Sequence, residues 1–139
     1  MQDTLAGRVR AIRAKFVIQG KIPGCKMEVY EKVLRALECY FGRKDWKKLF
    51  LCGGCFWLAE FLHERIPGSY LIINRAQEHC ALCFDGGLYD VSGKISMKGF
   101  EKATERQISF MRKNYVPKFD TGKLKEYLNA VPAIGIISE

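Results

Sequence analysis

The run HCALCFDGGLYD, residues 79–90, constrains the fold of this chain more than any other stretch. Two segments of strand length flank Asp85-Gly86, and both central residues of a type I′ turn need positive φ, which Asp and Gly tolerate. The sequence therefore predicts a β-hairpin. With Asp85 and Gly86 in the turn, Phe84 pairs with Gly87, Cys83 with Leu88, Leu82 with Tyr89 and Ala81 with Asp90. Directly paired residues share a face, and the period of two puts His79 on that face as well. His79 and Asp90 then become diagonal neighbours, about 7–8 Å apart between Cα atoms, within reach of an imidazole–carboxylate contact. A turn at Gly86-Gly87 would instead pair Asp90 with Cys83 and carry it out of reach of His79.

The hairpin sits in a chain that is otherwise patterned for helices. Leu5, Val9, Ile12 and Phe16 recur at helical spacing over residues 4–18, and GKIPGC interrupts them. Val29, Val33, Leu37 and Tyr40 mark a second helix over about 27–41, with Gly42 as its stop. RKDWKKLF reads as a short turn of helix or a loop. A third helix begins at or just before Cys55 and ends near Arg65, ahead of IPGS. SYLIIN supplies a further strand. Phe100, Ala103, Ile108 and Met111 suggest a helix over about 97–114, and a last helix over 121–129 has Asp120 or Thr121 as its cap. Helices, then a small antiparallel sheet, then helices make an α+β fold, expected as a single domain over residues 1–139.

Hydrophobic residues make up 48% of the 139 positions and charged residues 27%, enough apolar content for a core and too much for a disordered chain. The opening MQDTLAGRVRAIRAKF carries charge where a secretory signal needs an apolar run, and no run reaches membrane-spanning length. A soluble cytoplasmic protein with no membrane partner is expected, its six cysteines thiols rather than disulfides. The net charge of +8 raises the question of nucleic acid. Glu101 and Glu105, however, fall at helical spacing among Lys98, Lys102, Arg106 and Arg112, and the sequence lacks interleaved aromatics suited to base stacking. Nucleic-acid binding is expected to be at most weak, salt-sensitive and non-specific.

LCGGCFWLAEFLHE, residues 51–64, admits three chemistries. Cys52-x-x-Cys55 and Cys80-x-x-Cys83 could supply four thiolates to zinc. Their separation is long for such a site, and in a strand residues i and i+3 point to opposite faces. Cys52 and Cys55 alone could form a redox pair, although such motifs follow a strand in a βαβ pattern and mainly helix precedes this one. The third chemistry is nucleophilic. Gly53 and Gly54 let the chain turn sharply and leave the Cys55 thiol uncovered, while the positive end of the helix dipole favours thiolate. Free N–H groups at the helix start can receive an oxyanion. His79 supplies a base and Asp90 orients it. Taken singly, Cys55 could be a core hydrophobe, His79 an edge-strand histidine and Asp90 a turn cap in DVSG; together in this order they point to a catalytic triad.

CGGCFW resembles the papain signature C-G-[SA]-C-[WY], with Cys55 at the nucleophile position. HCALCFDGGLYD resembles the segment of compact papain-like and transglutaminase-like proteins in which a His opens one strand and an Asp follows on the next. The resemblance covers about residues 50–95. It departs from papain at Leu49, where papain has an oxyanion-hole glutamine, at Gly54, and in the short separation of His79 from Cys55. The side-chain oxyanion donor is left open among Gln77, Asn74 and backbone amides alone. The resemblance implies a papain-like core with the nucleophile helix on a small antiparallel sheet, no metal and no cofactor. It implies acyl hydrolysis or transfer on a protein or peptide substrate by Cys55, His79 and Asp90. Trp57 and Tyr89 are candidates for the cleft wall, although aromatics here more often belong to a core. The competing expectations are an inactive relative serving as a basic interaction or inhibitor module, possibly of phage type, and a four-cysteine zinc domain.

Overall fold

A computed structural model describes residues 25–42, 44–51 and 53–131. The helix expected over residues 4–18 and the thiol of Cys52 lie outside the described residues. The chain divides into two compact units, residues 44–119 and residues 1–43 with 120–139.

In the second of these units, helix α1 spans Lys26–Phe41. Cys25 is its N-cap, its sulfur accepting the Glu28 N–H, and Gly42 closes it at φ 63°, the left-handed conformation that glycine adopts without strain. The expected stop at Gly42 is therefore where the helix ends. The last helix runs Thr121–Leu128, capped by the Asp120 carboxylate on the Lys123 N–H, as DTGK suggests. Tyr40 and Tyr127 bring these two helices together with ring centroids 5.3 Å apart.

The unit of residues 44–119 holds the sheet. A 3₁₀ turn, Trp46–Phe50, leads through the glycines into α2, Cys55–Arg65. Five strands follow or flank the hairpin: β1 Tyr70–Asn74, β2 His79–Phe84, β3 Gly87–Asp90, β4 Gly93–Ile95 and β5 Glu101–Lys102. Helix α3 covers Glu105–Asn114, which makes Thr121–Leu128 helix α4. The sheet is antiparallel, in the order β4-β3-β2-β1-β5. Asp85 and Gly86 form the hairpin turn at φ 49° and 76°, and the ladder pairs Phe84 with Gly87, Cys83 with Leu88 and Leu82 with Tyr89. That is the register in which His79 can reach Asp90.

Helix α2 packs on β2. It buries Phe56, Leu58, Ala59, Phe61 and Leu62, while β2 buries Leu82 and Phe84. Each such side chain contributes about 1.5–3 kcal/mol on leaving water. The opposite face of the sheet gathers Ile72, Ala81, Cys83 and Leu88, with Ile95 and Phe100 partly covering them.

The helix expected over 97–114 begins later. Residues 97–103 are extended or turned, Gly99 takes φ 83°, and Glu101–Lys102 join the sheet beside β1. Helix α3 starts only after Thr104, whose hydroxyl takes the Gln107 N–H while Gln107 Oε1 takes the Thr104 N–H, a reciprocal capping box. Phe100 and Ala103 fall at helical spacing by coincidence. No helix among the described residues is long and apolar enough to cross a membrane.

Candidate active site

Cys55 opens α2 because the two glycines before it permit a backbone no other residue would. Gly53 has φ 89°. At Gly54 the chain passes so close to the Leu49 carbonyl that a Cβ would collide with its oxygen, and the Gly54 N–H donates to that oxygen at 3.0 Å. Glycine is required here for close approach, which fixes where α2 begins. The expectation that the glycines leave the thiol uncovered is corrected: Cys55 is buried, with 4% of its surface exposed. Apolar packing against α2 and the sheet end closes over it.

His79 opens β2 and is nine-tenths covered by its surroundings, its side chain 12% exposed. Its Nε2 lies 2.8 Å from Oδ2 of Asp90 at the end of β3. The imidazole also interacts with the Cys55 thiol, each shifting the other. The other carboxylate oxygen of Asp90 accepts the Ser92 N–H at 2.7 Å and the Ser92 hydroxyl at 2.5 Å. Asp90 is thus both turn cap and histidine partner, two roles that the sequence presented as rivals. The structure brings together Cys55, His79 and Asp90.

The electrostatics follow from these contacts. Burial pushes the Cys55 thiol up, but the His79 hydrogen bond, the Cys80 and Phe56 backbone N–H groups and the His79 charge outweigh it, so the thiol is lowered from 9.0. His79 is raised from 6.5 to about 9, first by its bond to Asp90 and then by its bond to Cys55, against the effect of burial. Burial raises the Asp90 carboxyl, and its bonds to His79 and Ser92 more than reverse that, holding it below 3.8. Each shift runs toward the charged form: thiolate for Cys55, imidazolium for His79 and carboxylate for Asp90.

Two cavities meet at His79. One, of about 490 Å³, is lined by His79, Cys80, Ile73 and residues of α3. The other, of about 580 Å³, is lined by His79, Asp90, Gln77, Lys98 and Phe100. Phe100 sets its ring edge-on to the imidazole at 6.1 Å. Asn74 lines both cavities, and its Oδ1 accepts the Gln77 N–H at 3.2 Å. Trp57 stacks on Phe61 at 5.2 Å and meets Phe50 and Phe119, so it serves an aromatic cluster and lines neither cavity. Tyr89 likewise stacks on Phe84 at 4.4 Å.

The turn through Ser92 is the one that DVSG suggested for Asp90. Sequence reasoning missed the Cys80 amide near the sulfur and the wall supplied by α3. Cys80 and Cys83 lie within the regular ladder of β2, Cys80 opposite Ile73 and Cys83 opposite Tyr70 and Leu88. Strand geometry sends them to opposite faces, as expected, so both could reach one ion only by breaking that ladder.

Neither the curated proteins nor the solved structures contain a match to this chain. A family model does match, over residues 33–129, a span that carries Cys55, His79 and Asp90 with all five strands. Because that span is well over half of the 139 residues, the chain belongs to the family described as Phage YunG-like protein.

Proposed function

We propose that this protein is a cysteine-dependent acyl hydrolase or acyl transferase on a papain-like (transglutaminase-like) core, with a protein or peptide substrate. The observation that carries the reading is the 2.8 Å hydrogen bond of His79 to Asp90 beside the helix-start Cys55, with His79 raised to about 9 and Cys55 lowered by its interaction with His79. A helix-start cysteine against a strand-initial histidine supports the papain-like reading of the core.

In this mechanism the Cys55 thiolate attacks the acyl carbon, a C–S bond forms, and the carbonyl electrons move onto oxygen. First-turn amides of α2 are suited to receive that oxyanion. The imidazolium of His79 gives its proton to the leaving amine as the C–N bond breaks. Neutral His79 then takes a proton from water or an acceptor amine, which attacks the thioester and releases Cys55. Asp90 keeps the ring oriented and balances its charge throughout.

A second reading, a non-catalytic interaction or inhibitor module, draws on the 4% exposure of Cys55 and on the phage family. The basic surface argues weakly for nucleic acid in either case, since Arg75 is paired with Glu101 and Arg112 with Glu60. Iodoacetamide labelling followed by peptide mass analysis separates the two readings. An ordinary thiol is only a few per cent thiolate at pH 7, so an activated Cys55 labels about tenfold faster or more than the exposed Cys25 and Cys39. Cys55→Ala removes the fast label and any acyl turnover. Labelling of Cys55 no faster than Cys25 overturns the enzyme in favour of the module.

A further inference from the structure

The two cavities at His79 are not equivalent with respect to the chemistry. Asp90 lines the 580 Å³ cavity, which therefore opens on the carboxylate end of the imidazole. Cys55 lines neither cavity, but Cys80, which lines the 490 Å³ cavity, also borders the narrow space at Cys55, so this cavity is the one on the thiol side. An acyl carbon must meet sulfur and the nitrogen beside it, never the carboxylate behind them. The group attached to that carbon accordingly has the 490 Å³ cavity to enter.

The walls of that cavity say what the group is. Ile73, Phe110, Met111 and Tyr115 make its apolar wall, three of them from α3 or the residue that ends it, and polar or charged side chains supply most of the remaining lining. Phe110 is 57% exposed at the rim, a large apolar side chain held in water until something covers it. Of the charges at the rim, Arg75 is already held by Glu101. Arg106 and Glu78 have no ion-pair partner among the described residues and offset each other, so the mouth selects neither sign. The volume lies in the range of small-molecule sites, ample for an aromatic or branched side chain.

We infer that the 490 Å³ cavity, walled by α3, is the pocket for a large uncharged apolar side chain on the acyl part of the substrate. This rests on the reading of Cys55 as the nucleophile. It makes Phe110 and Met111 determinants of specificity, and it narrows the substrate class to acyl groups bearing residues such as phenylalanine or leucine.

Matched chloromethyl ketones test it. In each, the Cys55 thiolate displaces chloride, a C–S bond forming as the C–Cl bond breaks. N-acetylglycyl, N-acetylphenylalanyl and N-acetylaspartyl chloromethyl ketones differ only in the side chain beside the carbonyl. The phenylalanyl probe is expected to label Cys55 about tenfold faster or more than the glycyl one, the scale on which apolar pockets discriminate. The aspartyl probe is expected to show no such gain. Met111→Trp, which fills the cavity, and Phe110→Ser, at an exposed position that folding tolerates, both bring the phenylalanyl-to-glycyl ratio toward one. Fast labelling by the glycyl probe with no phenylalanyl preference overturns the pocket and leaves the nucleophile standing. A phenylalanyl preference that survives both substitutions also overturns it. Slow labelling of Cys55 by all three probes overturns the nucleophile, and the pocket with it.

Discussion

Cys55 and Cys80 are near neighbours, both almost wholly buried, at 4% and 2% exposure, yet their thiols are driven in opposite directions. Cys80 is raised, by burial first and then by the charges of Cys55 and Glu60. Cys55 suffers the same burial and is lowered all the same, because His79 and two backbone N–H groups meet its sulfur. Burial is therefore not what separates the two thiols. What meets the sulfur is: Cys55 has the His79 ring first, then the Cys80 N–H from the strand and the Phe56 N–H that the helix start leaves unspent, whereas Cys80 meets charges that oppose its ionisation.

The contrast breaks most sharply at Asp90. Asp90→Asn keeps an oxygen for Ser92 but weakens the hydrogen bond that chiefly raises His79 and removes the charge behind it, so acyl turnover is expected to fall roughly 10³–10⁴-fold, the scale seen when a triad carboxylate is neutralised. Circular dichroism should show the fold kept. Labelling of Cys55 should slow toward that of Cys80. If Asp90→Asn leaves turnover and the Cys55 labelling rate unchanged, the row of three is not a working unit.

Gly54 comes next. A Cβ there meets the Leu49 carbonyl oxygen, so Gly54→Ala must shift the backbone that sets the start of α2. Crowding of this kind costs about 1–3 kcal/mol, readable as a lower urea midpoint. Because the displaced segment carries Cys55 and not Cys80, only the Cys55 labelling rate should change with it.

The smallest effect is a pH dependence. His79 gains its proton affinity on folding, its pKa rising from 6.5 to about 9, so its contribution to stability is complete below 6.5 and is lost as pH rises through about 9. Asp90 behaves oppositely, its contribution present above 3.8 and lost as pH falls through its lowered value. The difference in Tm between the native protein and Asp90→Asn should thus be widest between roughly pH 4 and 6.5 and shrink on both sides. A difference that is flat from pH 5 to 10 would show that the pair does not couple to folding.

The hairpin and its register were legible because turn chemistry and alternation are local properties: Asp85-Gly86 and the period of β2 suffice to bring His79 to Asp90. The start of α2 was legible for the same reason, through its glycines. Residues 97–104 were not. Their helical spacing is real, but β5 exists only because β1 offers it an edge, and that pairing joins Ile72 to Lys102 across a long stretch of chain. The capping box at Thr104 and Gln107 was a local signal that places the helix start correctly and outweighs the spacing before it. The burial of Cys55 and the α3 wall depend on packing between distant segments, which no local pattern encodes.

Asp90 divides its two carboxylate oxygens between two duties, one on His79 and one on the Ser92 turn that joins β3 to β4. An aspartate so placed stays useful to folding after the chemistry has gone. Among related chains, its retention would say little about activity, since a descendant that had lost the thiol would still need the turn. On the proposed mechanism, the joint presence or loss of Cys55 and His79 is the better mark of activity among relatives.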